Sequence, residues 1–181
     1  MRACTQTVCF SNMENNEMNN TDTLEKIIRH QQNKDPAYPF REHLLMQLCI
    51  RVNKKIQNST SEFFGAYGIN HSVYMVLAIL SMEEQHCLSP SEISQKLQFT
   101  RTNITRITDF LEKAGYIKRT DSREDRRTKK ISLTSEGMFF IQRLTLAQNT
   151  YLKELWSNLT CDECEMFEVI SKKLLAHFSD I

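Results

Sequence analysis

Two helix-start signals, at Ser89 and at Thr100, constrain this chain more than any other feature. Ser89-Pro90-Ser91-Glu92 offers a capping hydroxyl, a proline where the first helical N–H needs no partner, and a glutamate placed to bond back to the cap. That helix runs to Leu97. After only Gln98 and Phe99, Thr100 caps a second helix, whose Ile104, Ile107, Leu111 and Ala114 share one face and which Gly115 ends. Two helices joined by so tight a turn form a helix-turn-helix.

The residues after Gly115 narrow the fold further. Tyr116–Thr120 and Thr128–Leu133 suit strands, the second pointing Ile131 and Leu133 inward and Lys130 and Ser132 outward. The connection Asp121-Ser122-Arg123-Glu124-Asp125-Arg126-Arg127 is too long for a two-residue hairpin turn, so it is expected to project as a finger. A helix-turn-helix followed by such a hairpin has the order of a winged helix.

Long helices flank this module. Residues 1–21 are polar and rich in Asn, and read as a flexible tail; Thr21 or Asp22 then caps a helix through Gln32, which Pro36 and Pro39 prevent from continuing. From Phe40 the apolar positions Leu44, Leu45, Leu48, Val52 and Ile56 repeat near 3.6 residues, ending about Gly65 to Gly68. Asn70 opens a helix over Val73–Leu80, the longest apolar run at eight residues and far short of the roughly 18–20 that cross a bilayer. Thr134 caps a helix carrying Phe140, Leu144, Tyr151, Leu152, Leu155 and Trp156, and Thr160-Cys161-Asp162-Glu163 opens a last one with Phe167, Ile170, Leu174 and Phe178. These stripes exceed what one small domain can cover. The expected fold is mainly α with a small β-hairpin: dimerisation helices at 22–65 and 134–181 around a winged helix-turn-helix at 66–133. Leu155, Trp156, Phe167, Ile170 and Leu174 are the expected dimer contacts.

The net charge of +1 conceals a separation. Residues 95–130 hold eleven basic and five acidic side chains, a net +6, while the rest holds twelve against seventeen, a net −5. Positive charge concentrated on one module is the footprint of a nucleic-acid binder. The helix after the turn presents Arg101, Thr102, Asn103, Thr105 and Arg106 away from its apolar face, while Thr100 serves as the cap. Arg can give two parallel donors to guanine, Asn can pair with adenine, and Thr can bond a base or touch a thymine methyl. In the finger, Asp125 can hold one guanidinium of Arg126 and Arg127 while the other enters the electronegative minor groove.

Leu88-Ser89-Pro90-Ser91-Glu92-Ile93, the Asp125-Arg126-Arg127 finger and Ile131-Ser132-Leu133-Thr134-Ser135-Glu136-Gly137 together resemble the winged-helix core of the MarR family of bacterial transcriptional regulators. Arg101-Thr102-Asn103-Ile104-Thr105-Arg106-Ile107, Leu44-Leu45-Met46-Gln47-Leu48-Cys49 and Leu155-Trp156-Ser157-Asn158-Leu159 are similar to its multidrug efflux-pump repressor branch. The resemblance spans Leu24 to Phe178. It implies a homodimer that sets its reading helices in successive major grooves of a pseudo-palindromic operator and its wings in the flanking minor grooves; the first twenty residues show no secretory signal, so the cytoplasm is the expected location. The resemblance further implies a repressor released by a small lipophilic or aromatic effector, with an efflux or stress-response operon as target; the family pattern fixes no pocket residues, and Tyr67, His71, Tyr74 and Met75, near the junction of the early helices, are the candidate contacts.

Cys161 and Cys164 stand apart from that pattern, and a thiol- or redox-responsive regulator built on this pair is the alternative function. No second Cys/His pair at zinc spacing accompanies them, so no metal site is expected. Without a secretory signal, the six cysteines do not read as a disulfide framework. No nucleophile elbow, phosphate loop or cofactor motif is present, so neither an enzyme nor a cofactor is expected.

Overall fold

The computed structural model describes residues 11–83, 87–121 and 129–179. The chain divides into two compact units, Met1–Ser59 and Thr60–Ile181.

In the first unit, α1 (Ser11–Lys34) is followed by α2 (Phe40–Gly65), whose last residues belong to the second unit. Helix α1 is already helical at Ser11, the first described residue, well before Thr21 or Asp22, so the part of the expected tail from Ser11 onward is helical. No Gly or Pro interrupts Ser11–Lys34, and extending a nucleated helix is far easier than starting one. Leu24 and Ile28 are buried, while Ile27 is exposed. Pro36 ends the helix as expected, and the Asp35 carboxylate accepts the Ala37 N–H at 3.0 Å to shape the turn. Arg29 lies 4.8 Å over the Phe40 ring, and Tyr38 Oη hydrogen-bonds His43 Nδ1.

The second unit contains α3 (His71–Met82), β1 (Cys87–Leu88), α4 (Pro90–Leu97), α5 (Arg101–Lys113), β2 (Ile117–Asp121), β3 (Lys129–Leu133), α6 (Ser135–Leu155) and α7 (Cys161–Ser179). The expected caps form. Asn70 accepts from the Val73 N–H at 3.0 Å and Thr134 from the Gly137 N–H at 3.0 Å. At Ser89 the capping box closes in both directions, as it does between Thr160 and Glu163. The β-prone run in α3 is helical because tertiary burial overrides propensity: Val73, Val76, Leu77 and Leu80 enter one core. That core also takes Phe64, Ile93, Ile104, Ile107, Leu111, Ile117, Ile131, Ile141 and Leu144.

The sheet is antiparallel with three strands in the order β1-β3-β2, where a two-stranded hairpin is expected. Strand β1 sets Cys87 opposite Ser132 and Leu88 opposite Ile131; two residues are too short to show an alternating pattern. Strands β2 and β3 pair from Ile117 with Leu133 to Asp121 with Lys129. Gly137 fastens α6 to this sheet. A Cβ there would stand 2.0 Å from the Tyr116 carbonyl oxygen, which already accepts the Thr134 N–H at 3.0 Å.

Candidate nucleic-acid interface

The turn that sets α5 is closed by polar contacts. Gln98 takes a left-handed backbone, φ 55°, while the Ser94 hydroxyl donates to the Phe99 carbonyl at 2.6 Å. Thr100 then accepts the Asn103 N–H at 3.3 Å, so its hydroxyl is spent on the cap as expected. Ile104, Ile107, Thr108 and Leu111 are buried, which fixes the rotation of α5 about its axis.

The opposite face is open. Arg101, Thr102, Thr105 and Arg106 are exposed, and Asn103 is half-buried at the edge of that face. Thr105 Oγ1 donates to the Arg101 carbonyl at 3.0 Å, leaving its methyl group and oxygen lone pairs for a partner. The structure therefore brings five sequence-derived residues together on the first turns of one helix. Asp125, Arg126 and Arg127 lie outside the described residues.

The positive charge of the module separates into two sets. Lys96 is 2.7 Å from Glu83, Lys130 is 3.0 Å from Glu92, Lys129 pairs with Asp121, and Arg119 pairs with Asp109 and Glu112. Among the described residues, Arg101, Arg106, Lys113 and Lys118 make no such ion pair. Three of these four are on α5. At 3.6 residues per turn, Thr102, Arg106, Asp109 and Lys113 follow one another along its outward face.

Lys130 has a structural role that its sequence position does not reveal. Its ammonium reaches the Glu92 carboxylate, which also accepts the Ser89 N–H at 2.6 Å. The Ser89 backbone N–H, then the Ser89 hydroxyl, then Lys130 pull the Glu92 carboxyl from 4.5 to about 2. One carboxylate thus caps α4 and fastens β3 beside it.

In the sequence Arg119 contributes only to the charge of the module, and no motif singles it out. The signal that locates it is the period of two in β2: Arg119 shares a face with buried Ile117, which turns it toward α5, while Lys118 and Thr120 are exposed.

The expected effector residues form part of an aromatic cluster. Tyr74 stacks on buried Phe64 at 4.9 Å, His71 lies 5.6 Å from the same ring, and Tyr67 lies 5.4 Å from Phe63, which stacks on Tyr151. Met75 is half-buried and has no ring contact among those described. A separate groove of about 510 Å³ lies between α3 and α6, lined by Ser81, Met138, Ile141, Gln142, Thr145 and Leu146. Cys161 and Cys164 are free thiols on the first turn of α7, the first exposed and the second half-buried. Among the described residues, no cluster of three His, Cys, Asp or Glu is suited to holding a metal, and no helix is long and apolar enough to cross a membrane.

Known proteins share both sequence and architecture. A MarR family model matches residues 67–128, from just before α3 to the first residue of the second expected strand. The HTH-type transcriptional regulator PapX of Escherichia coli is 99% identical over 91% of this chain and 100% of its own length. The chain belongs to the MarR family of transcriptional regulators.

The branch expected within the MarR family is supported as well. The transcriptional repressor MprA of Escherichia coli K12 is 35% identical over 87% of this chain and 90% of its own. A crystal structure of a mutant MarR from Escherichia coli complexed with operator DNA superposes with a TM-score of 0.63 at 27% identity, covering 72% of this chain and 93% of that one. These relatives are DNA-binding regulators, not enzymes, and the winged-helix order read from the caps and strands is the MarR-family order.

Proposed function

We propose that this MarR-family chain is a homodimeric, sequence-specific repressor that reads duplex DNA with the outward face of α5. The observation that carries this is the sorting of charge. Among the described residues, Lys96, Arg119, Lys129 and Lys130 pair with carboxylates, while Arg101, Arg106 and Lys113 of α5, with Lys118 on β2, remain open, the α5 cations beside Thr102, Asn103 and Thr105. Arg101 and Arg106 serve base edges or phosphates, Lys113 and Lys118 serve phosphates, and the finger at Asp125-Arg126-Arg127 enters the minor groove. Repression, rather than activation, follows the character of MprA.

The second copy is supported by α7. It buries no residue within the chain, although Phe167, Ile170 and Leu174 line it, and Trp156 packs 5.7 Å from Phe167. A partner subunit covering this face, with Leu155 and Trp156 at its margin, accounts for so much exposed apolar surface.

Selection of duplexes by the purified protein from a randomised pool tests the DNA reading. A pseudo-palindrome with half-sites about one helical turn apart is expected; recovery of no preferred sequence would contradict it. Release of the selected duplex by lipophilic aromatic compounds tests effector control over an efflux or stress-response operon. Tyr74→Ala abolishing release assigns the effector to the Tyr67, His71, Tyr74 and Met75 region. Thr145→Trp abolishing release assigns it to the groove between α3 and α6. Peroxide is the third arm. Release by peroxide that Cys164→Ser prevents would move control to the Cys161 and Cys164 thiols.

A further inference from the structure

We infer that Arg119 is a positioning residue for DNA reading: gripping α5 at Asp109, it cancels a negative charge that α5 carries on its DNA-facing surface. The inference rests on the proposed role of α5 and adds a residue that the reading helix does not contain.

Asp109 is the anomaly that motivates it. It lies one turn beyond Arg106 and one turn before Lys113, on the same outward face, and is exposed. A bare carboxylate there would meet the phosphate backbone with like charge. Arg119 reaches it from the neighbouring strand, with Nη2 2.5 Å from Asp109 Oδ1 and Nη1 3.0 Å from Glu112 Oε2. The same Nη2 donates to the hydroxyl of buried Thr108 at 2.7 Å. That hydroxyl in turn donates to the helix backbone, at 2.9 Å to the Ile104 carbonyl and 3.0 Å to that of Thr105. One planar guanidinium therefore grips Thr108, Asp109 and Glu112 of α5 and ties them to β2.

The grip fixes α5 against β2, which ends at Asp121 where the segment expected to form the finger begins. A lysine could pair with one carboxylate, but it has no fork to span Thr108, Asp109 and Glu112.

The test uses the full-length protein and a duplex that the wild type has selected. Binding and melting temperature are measured for the wild type, Arg119→Gln, Asp109→Asn and Arg119→Gln/Asp109→Asn. Arg119→Gln is expected to bind at least about tenfold more weakly with little change in melting, because the pairs it breaks are partly exposed. Adding Asp109→Asn is expected to recover most of that loss, and Asp109→Asn alone to bind at least as well as the wild type. If Arg119→Gln does not fold, Arg119→Lys with and without Asp109→Asn is compared in the same way. A double variant no better than Arg119→Gln would overturn the inference. In that case a salt slope reduced by about one marks Arg119 as a direct phosphate ligand. A wild type that binds no duplex would instead refute the DNA reading by α5 itself.

Discussion

Glu92 shows how far one side chain's environment reaches. Its carboxyl is lowered to about 2, so its contribution to stability is fully present above the ordinary value near 4.5 and lost as pH falls from there toward 2. With 45% of the side chain exposed, solvent screening reduces that contribution to about 1 kcal/mol. Melting curves should therefore show the wild type more stable than Glu92→Gln at pH 6, with the gap closing toward pH 2. Gly137 is a steric case. Because its missing Cβ leaves room for the Tyr116 carbonyl, Gly137→Ala must push α6 away from β2, and it should destabilise the fold by about 2 kcal/mol or more in urea unfolding. Both residues sit in motifs visible in the sequence, the capping box and the Leu133-Thr134-Ser135-Glu136-Gly137 run. Only the cap was legible as chemistry. The glycine's role depends on a carbonyl 21 positions earlier in the chain, and the carboxylate's second partner, Lys130, comes from 38 positions later.

At the scale of elements, caps and stops made the helix-turn-helix readable, because each is a local event whose residues lie within three or four positions of each other. Ser89, Thr100, Thr134 and Thr160 all cap where their spacing predicts. Two features escaped for the opposite reason. Strand β1 is too short to show a period, and the grip of Arg119 on α5 joins segments ten residues apart. The charge count was correct as a sum but blind to pairing, which needs the folded neighbourhood. This distinction predicts two different outcomes for two lysines. Lys113→Ala should reduce the log–log salt slope of DNA binding by about one, as loss of a phosphate contact does. Lys130→Ala should leave that slope unchanged and weaken the fold slightly, since it uncouples β3 from Glu92.

For the whole molecule, one chain leaves its apolar surface unfinished. Helix α7 exposes Met166, Phe167, Val169, Ile170, Leu174, Leu175 and Phe178, more than an isolated helix sustains in water. Ile170→Glu/Leu174→Glu should convert a dimer to a monomer in light scattering and weaken DNA binding, because two half-sites would no longer be engaged together. The stripe was legible from its 3.6-residue period, whereas a period along one helix carries no information on the surface that covers it. The most direct test of the central claim, that the open cations of α5 read DNA, is fluorescence anisotropy of wild type and Arg106→Ala on a selected duplex across a salt series. The account predicts wild-type affinity falling steeply and linearly with log salt, and Arg106→Ala binding about 10–100-fold more weakly at fixed salt with an unchanged melting temperature. Salt-independent binding, or an Arg106→Ala variant indistinguishable from wild type, would contradict it.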